Sequence, residues 1–314
     1  MQESLLSTLI GWTVQLLLIP LLSPFYIGVT RKIKARMQNR QGADCFQPYR
    51  DLWKLFHKDE VISSDASWIF RYAPYAIFAI TLLIGLSIPL ISTALHNHAT
   101  GDFLVVVYLV ALSTFILALA GMDVGGAFGG FGSSREMTVS ALTEAGLILS
   151  LLTLALISHS TNLTLIAQRV SQLTPAGSAP LLLAFIGFFI ALLAETNRYP
   201  FDNPSTHLEL TMIHEAMLIE YFGKRLALME WASANKYLLF IALGANLFFP
   251  WGIADSLGIG ALLLALALLI IKALVFCVGV AVIESTIAKF RFFRLPDLLL
   301  TSCVLSLVAL SLVR

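Results

Sequence analysis

Residues 195–221 read ETNRYPFDNPSTHLELTMIHEAMLIEY and join the end of a strongly apolar run to a dense group of polar and charged side chains. The apolar run before them carries no charge, so Glu195 and Arg198 stand where a membrane helix leaves the hydrocarbon. Asn203 before Pro204 is typical of a helix N-terminus, with asparagine as the cap and proline at the first helical position. A second helix is therefore predicted to begin there and to return along the membrane. The ionisable residues that it would carry are His207, Glu209, His214, Glu215 and Glu220.

The composition excludes a soluble globular protein, because 58% of the residues are hydrophobic, only 12% are charged and the mean hydropathy is +0.85. Runs of about 20 apolar residues, the length needed to cross ~30 Å of hydrocarbon, recur along the whole sequence. We predict an all-α integral membrane protein that forms one polytopic domain over residues 1–314. Its eight transmembrane helices are expected at residues 5–29, 69–95, 103–121, 137–158, 180–199, 235–254, 259–285 and 295–313. Apolar residues at helical spacing between Gln47 and His57 predict an additional amphipathic helix at the membrane interface.

Lysine and arginine are concentrated in alternate loops. Residues 30–68 hold eight of them, and the loops after the third, fifth and seventh predicted helices hold most of the others. The opposite loops hold only Arg169. By the positive-inside rule the basic loops are cytoplasmic, so both termini are expected on the outer side of a prokaryotic cell membrane.

No motif for a cofactor or a metal is evident in the sequence. The three cysteines, Cys45, Cys277 and Cys303, form no CxxC pair, and a zinc-binding HExxH motif at His214 would need histidine where Leu218 stands. The glycine-rich stretch MDVGGAFGGFGSSRE at residues 122–136 is expected to be a cytoplasmic turn, and no GxxxxGK motif follows it. We therefore expect no cofactor, and we expect a lipid bilayer but no nucleic acid among the partners.

Three segments carry a resemblance to a known family. ETNRYPFD, followed by an acidic segment that ends in Glu220 and Tyr221, resembles the loop between the fifth and sixth helices of subunit 1 of respiratory complex I and of subunit 4 of formate hydrogenlyase. RMQNRQG and QPYRDLWKLFHKDE resemble the first cytoplasmic loop of the same family, with Ala43 where the family usually has proline. The GMD and GSSRE segments are more similar to the branch of membrane-bound [NiFe] hydrogenases.

The resemblance implies a non-catalytic membrane subunit of a redox-driven, ion-translocating complex. Such a subunit joins a hydrophilic hydrogenase-like or complex I-like module to antiporter-like membrane subunits and relays protonation changes between them. An alternative is a scaffold subunit of an antiporter or permease assembly without redox chemistry, and a stand-alone channel is a third. The oxidoreductase activity would belong to the complex, since no nucleophile, triad or redox centre is evident in this chain.

Carboxylates and lysines at membrane depth are the candidate relay groups. Poor hydration and like-charge neighbours favour the protonated form of a carboxylate, so a string of such groups can pick up and pass protons at neutral pH. Glu144 lies inside a predicted helix, and the family places an arginine and a glutamate at the separation of Arg135 and Glu144. A helix-entry residue that reaches outward is the alternative for Glu144. The predicted relay residues are Glu144, Glu195, Glu209, Glu215, Glu220, Lys236 and Lys272. Charge balance and contact with the hydrophilic module are expected from Arg36, Arg40, Arg135, Arg198 and Asp202.

Quinone is a possible but not a favoured ligand. Ser205 and His207 stand where complex I subunits usually carry acids. About three more residues separate Leu210 from Glu220 than in the family pattern, which is close to one helical turn. An added turn keeps the helix faces in register while it shifts everything beyond by ~5 Å, so a quinone pocket should not survive unchanged.

Overall fold

A computed structural model describes residues 2–95, 100–173, 178–202, 212–256 and 258–313. Helices dominate these ranges, and no strand is present in them. The helices are α1 (Gln2–Met37), α2 (Gln47–Phe56), α3 (Trp68–Ser87), α4 (Phe103–Asp123), α5 (Ala127–Ser158), α6 (Leu163–Val170), α7 (Ser178–Glu195), α8 (His214–Leu218), α9 (Gly223–Leu247), α10 (Ile259–Thr286) and α11 (Leu295–Leu312).

Six of these helices, α1, α3, α4, α5, α10 and α11, are long and apolar enough to cross a membrane. The predicted class of all-α membrane protein is therefore confirmed. Each of the eight predicted helices overlaps an observed one, but α7 and α9 are not among the six. A helix, α2, also occupies the position predicted for the amphipathic segment.

The bundle is organised around α5, which packs against α4, α7, α8 and α11, while α9 packs against α1, α3 and α10. Lipid tails are as apolar as leucine, so close packing and hydrogen bonds between helices, more than the hydrophobic effect, hold such a bundle together. One such bond joins α11 to α7, because the Ser302 hydroxyl donates to the Gly187 carbonyl at 2.7 Å.

The second predicted helix starts within one residue of α3 but was predicted to end too late. It was expected to reach residue 95, but α3 ends at Ser87 and Ile88 is extended. Pro89 explains the end, because the residue before a proline is disfavoured in helical geometry and proline has no N–H to donate. The following residues are held by residue 254, whose carbonyl accepts hydrogen bonds from the Ser92 hydroxyl and the Thr93 amide, both at 2.9 Å.

The interpretation of the glycine-rich stretch as a turn was wrong for most of its length, because α5 begins at Ala127 rather than near residue 137. Glycine permits close helix contacts here. A Cβ on Gly129 would collide with the carbonyl oxygen of Gly121 on α4. A Cβ on Gly132 would lie 2.9 Å from the carbonyl oxygen of Ile213 and meet α8 as well. The glycines therefore bring α4, α5 and α8 together. Because α5 begins at Ala127, it is almost three turns longer at this end than predicted.

The sixth predicted helix was also displaced, since α9 covers Gly223–Leu247 rather than residues 235–254. Its first half carries Lys224, Arg225 and Glu230. A hydropathy pattern does not identify such a segment as a membrane helix.

The prediction of one continuous acidic helix is wrong over its described part. Residues 212 and 213 are not helical, and α8 ends at Leu218, before Glu220. The amides of Ile213 and His214 instead donate to the side chain of Asp202. An added helical turn therefore cannot keep the helix faces in register here, because this part is not one continuous helix. Asn203, Pro204, Ser205, His207 and Glu209 lie outside the described residues.

Candidate functional site

Charged residues from distant parts of the chain meet at one end of the bundle. Glu284, near the end of α10, pairs with Lys34 of α1 at 3.1 Å and with Arg198, which follows α7, at 3.2 Å. The Arg198 guanidinium also lies over the ring of Tyr237, 4.4 Å from its centroid. These contacts show that the basic loops identified in the sequence lie at the same end of the molecule.

Asp202 forms a second junction at this end. Its Oδ1 lies 2.6 Å from Lys289 Nζ, and its Oδ2 accepts the amides of Ile213 at 3.3 Å and His214 at 3.2 Å. Arg135 of α5 adds a third contact to the same segment, because it donates to the carbonyl of Met212 at 3.1 Å. The segment that leads into α8 is therefore held from three directions.

Glu195, the last residue of α7, is buried and paired. Its Oε2 lies 2.7 Å from Lys236 Nζ of α9, and Lys236 also donates to the Thr114 hydroxyl at 3.2 Å. The second carboxylate oxygen of Glu195 is buried and has no hydrogen-bond partner among the described residues. Glu195 thus combines one close counter-charge with one buried oxygen that has no described partner.

Glu136, which was not predicted from the sequence, is a further buried carboxylate of this site. It is 5% exposed, and its buried Oε2 has no hydrogen-bond partner within the described ranges. Glu136, Ser140 and Glu144 are spaced by four residues and so share one face of α5. Ser140 donates to Glu144 at 3.2 Å. The sequence contains this four-residue spacing. Glu136 was nevertheless missed, because the helix was predicted to start at residue 137, one residue after it.

Two adjoining cavities connect these groups. The outer cavity has a volume of about 140 Å³, and its charged lining residues are Arg31, Asp51, Arg198, Asp202, Glu215 and Glu230. The inner cavity has a volume of about 40 Å³ and is lined by Glu136, Glu195 and Lys236, together with hydroxyl and apolar side chains. Both cavities are lined by Asn197, His214, Leu218 and Ser233. The predicted relay residues Glu195, Lys236 and Glu215 therefore lie within two neighbouring cavities.

Other predicted residues are placed elsewhere. Glu220 is exposed in the turn after α8. Arg36 and Arg40 are exposed in the segment that follows Lys34, and Arg40 donates to the Gln38 side chain. Glu209 lies outside the described residues. The structure thus does not bring Glu220 into the buried cluster.

Lys272 is buried but belongs to a separate region of the bundle. Its Nζ donates to the carbonyl of Ala245 in the last turn of α9 at 3.4 Å, to Asn246 Oδ1 at 3.3 Å and to the carbonyl of Phe249, just beyond the helix, at 2.7 Å. Asn246 is ten residues along α9 from Lys236, which is ~15 Å at 1.5 Å per residue. A cation that binds the last carbonyls of a helix also interacts favourably with the helix dipole. Lys272 therefore caps the C-terminus of α9.

A sequence model described as NADH dehydrogenase matches residues 10–314. The chain belongs to this family, the complex I subunit 1 family. It is 36% identical over 280 residues to hydrogenase-4 component C of Escherichia coli, with 88% of this chain and 87% of the relative covered. It is 32% identical over 278 residues to formate hydrogenlyase subunit 4 of the same organism, which covers 88% of this chain and 90% of the relative. The resemblance inferred from the three sequence segments is confirmed.

More distant similarities extend over most of the chain. A subunit of the NADH-quinone oxidoreductase of Thermomicrobium roseum is 28% identical over 328 residues, with 95% of this chain and 91% of the relative covered. A chain of the membrane-bound sulfane sulfur reductase, an archaeal respiratory membrane complex, superposes with a TM-score of 0.80 over 97% of this chain and 100% of its own length. That structure is 20% identical in sequence, so it establishes the likeness of fold alone.

Proposed function

We propose that this chain is the non-catalytic membrane subunit of a redox-driven, ion-translocating complex. It links a hydrophilic hydrogenase-like or complex I-like module to antiporter-like membrane subunits and relays protonation changes between them. Family membership supports the membrane-subunit role. The relay role is carried by one observation, the buried Glu195–Lys236 pair beside the unpartnered oxygen of Glu136.

The physical basis of the relay is the cost of an unpaired buried charge. Breaking a buried ion pair by neutralising one partner costs about 3–5 kcal/mol, because the other charge is left without compensation. A proton that arrives at Glu195 therefore changes the balance around Lys236, and a neighbouring carboxylate such as Glu136 can restore it by losing its own proton. Glu144 continues this face of α5 toward the edge of the bundle. Glu209 and Glu215 complete the proposed relay. Glu220 and Lys272 lie outside the buried cluster, so the proposed relay does not run through them.

The hydrophilic module docks at the end of the bundle that carries the basic loops. Arg36 and Arg40 are exposed there, and the outer cavity lies at the same end. The charged lining of that cavity suits water and protons better than a quinone ring, so quinone is not the favoured ligand.

We further propose that the chain forms one membrane domain with eight spans. The six long apolar helices are joined by α7 and α9, whose 18 and 25 residues measure ~27 Å and ~38 Å at 1.5 Å per residue. The amphipathic helix α2 lies at the cytoplasmic interface, and both termini lie on the outer side of a prokaryotic cell membrane.

The decisive experiment is substitution of Glu195 by glutamine in the assembled complex. Glu195→Gln keeps the size and polarity of the side chain but removes the charge and the titration. We expect normal assembly and electron transfer in the soluble module, with proton translocation into proteoliposomes reduced by about 100-fold, the scale on which a positioned proton-transfer group acts. Glu144→Gln should act in the same direction, and Asp65→Asn, an exposed carboxylate, is the control. Translocation at the wild-type rate in both glutamate variants would show that these carboxylates are structural.

Co-purification separates the proposal from its alternative. Mass spectrometry of chains that co-purify with this protein should find a hydrophilic partner with redox clusters. Antiporter-like chains alone would support the scaffold of an assembly without redox chemistry.

A further inference from the structure

His214 occupies the boundary between the two cavities. It is the first residue of α8, and its side chain lines both the outer and the inner cavity. Both ring nitrogens are buried, and neither has a hydrogen-bond partner among the described residues. Leaving a buried polar group without a partner is unfavourable, so an imidazole in this position calls for an explanation.

Hydrogen bonds hold the backbone around His214, whereas the ring itself has no hydrogen-bond partner in the part of the chain that the structure describes. Asp202 accepts hydrogen bonds from the amides of Ile213 and His214, and Arg135 donates to the carbonyl of Met212. On the other side, Gly132 of α5 allows Ile213 to approach closely. This arrangement holds His214 in the wall between the two cavities, where neither ring nitrogen has a hydrogen-bond partner among the described residues.

The surroundings keep the ring neutral at neutral pH. Burial lowers the pKa of His214 to about 4, Lys236 acts in the same direction, and Asp202 opposes both. A neutral imidazole has one N–H donor and one acceptor nitrogen. It can therefore accept a proton on one side while it releases one on the other, and the low pKa makes the doubly protonated ring short-lived. The ionisable groups that surround the two cavities and α8 are Arg31 of α1, Asp51 of α2, Arg135 and Glu136 of α5, Glu195, Arg198 and Asp202 of α7 and its following loop, Glu215 of α8, and Glu230 and Lys236 of α9.

We infer that His214 passes protons between the outer cavity and the buried carboxylates Glu136 and Glu195. An N–H bond forms on the nitrogen that faces the outer cavity as the N–H bond on the inner side breaks, and the proton released there goes to a carboxylate oxygen or an intervening water. The ring is left as its other tautomer, and rotation of the ring restores the starting state. No charge accumulates and no redox partner is required. The inference rests on the proposed relay and adds the residue that admits protons to it.

The test uses the intact complex in proteoliposomes, with proton translocation and electron transfer measured separately. We expect His214→Gln to assemble and to lower translocation by about 100-fold. We expect His214→Ala to be equally slow and to recover when imidazole is added, because imidazole can occupy the space of the missing ring and carry the proton. His57→Gln is the matched control, since His57 is an exposed histidine at the end of α2. A structural role would not give rescue by imidazole.

The outcomes separate this inference from the proposed function. Loss of translocation in Glu195→Gln with a wild-type rate in His214→Gln would overturn the role of His214 and leave the relay intact. Wild-type rates in both would overturn the relay itself. Absence of imidazole rescue in an assembled His214→Ala complex would assign His214 a structural role.

A measurement on the native residue covers the case in which the variants do not assemble. Diethyl pyrocarbonate modifies neutral histidine, and peptide mapping reports the modified fraction at His214. In a His57→Gln background, translocation should fall in proportion to that fraction and should return after hydroxylamine treatment. Full modification with unchanged translocation would contradict the inference.

Discussion

At the scale of single residues, the buried carboxylates differ in how completely they are compensated. Glu284 meets two cations, and Asp202 meets one cation and two amides. Glu195 meets one cation, Lys236, and keeps one oxygen without a described partner, as Glu136 does. The first two carboxylates are paired through ionic contacts or amides, whereas the last two each keep one buried oxygen without a described partner. The proposed relay uses these last two.

This distinction predicts a large loss of stability for Glu284→Gln with no selective effect on proton transfer. The substitution leaves Lys34 and Arg198 without their counter-charge in a buried site, where the Glu284 side chain is 2% exposed, and we expect a cost of about 3–5 kcal/mol. Thermal unfolding of the purified complex in detergent measures the effect. The control is Asp44→Asn, which breaks an exposed pair with Arg50 and should cost less than about 1 kcal/mol. Equal melting temperatures for the two variants would refute the assignment.

At the scale of secondary-structure elements, the placement of α8 depends on a contact that only glycine permits. α8 has five residues and is too short to be stable by itself, so its position comes from packing against α4 and α5. At Gly132 a Cβ would lie 2.8 Å from the Cβ of Ala216 and 2.9 Å from the carbonyl oxygen of Ile213. The boundary between the cavities is therefore set by the α5–α8 contact.

Gly132→Ala should displace α8 and disturb translocation, whereas Gly130→Ala should not. Overpacking of a tight contact costs about 1–3 kcal/mol. At Gly130 a Cβ meets nothing within 4 Å among the described residues, so alanine there should be neutral or stabilising by up to about 1 kcal/mol, because it favours the helix. Hydrogen exchange of the α8 amides reports the displacement. If the two variants exchange at the same rate, α8 is not held by this contact.

At the scale of the whole molecule, the basic segments after α1, α7 and α10 meet at one end. The ion pairs of Lys34, Arg198 and Lys289 establish this shared location, because their partners come from other segments. Arg169 lies in the other set of loops, where it donates to the carbonyl of Ser158 at the end of α5. The structure thus groups the loops as the charge count does, and the positive-inside rule predicts that this end of the molecule faces the cytoplasm.

Cysteine labelling tests this orientation. A membrane-impermeant thiol reagent added from the periplasmic side should modify an introduced cysteine at Asn97 and spare one at Gln41. Permeabilised cells, in which both should react, provide the control for reactivity. The reverse pattern in intact cells would place the termini in the cytoplasm.

The sequence by itself determined the class of protein, the family and several groups of the site. Apolar runs of membrane length and the charge asymmetry of the loops are local properties, so they could be identified without coordinates. Glu195 was predicted because a carboxylate at the end of an uncharged run is conspicuous. Lys236 was included because burial was expected there, although its pairing with Glu195 was not foreseen.

Only the tertiary structure showed which ionisable groups lie together. Glu136 and His214 became candidates because α4, α5 and α8 approach through glycine contacts, and no local pattern encodes a contact between helices. Glu220 and Lys272 share the residue types of the relay but lie outside the buried cluster. Hydropathy and charge act along the chain, whereas compensation of a buried charge depends on which side chains reach it through space. The sequence could therefore supply the ionisable groups, and the packing of the helices selected among them.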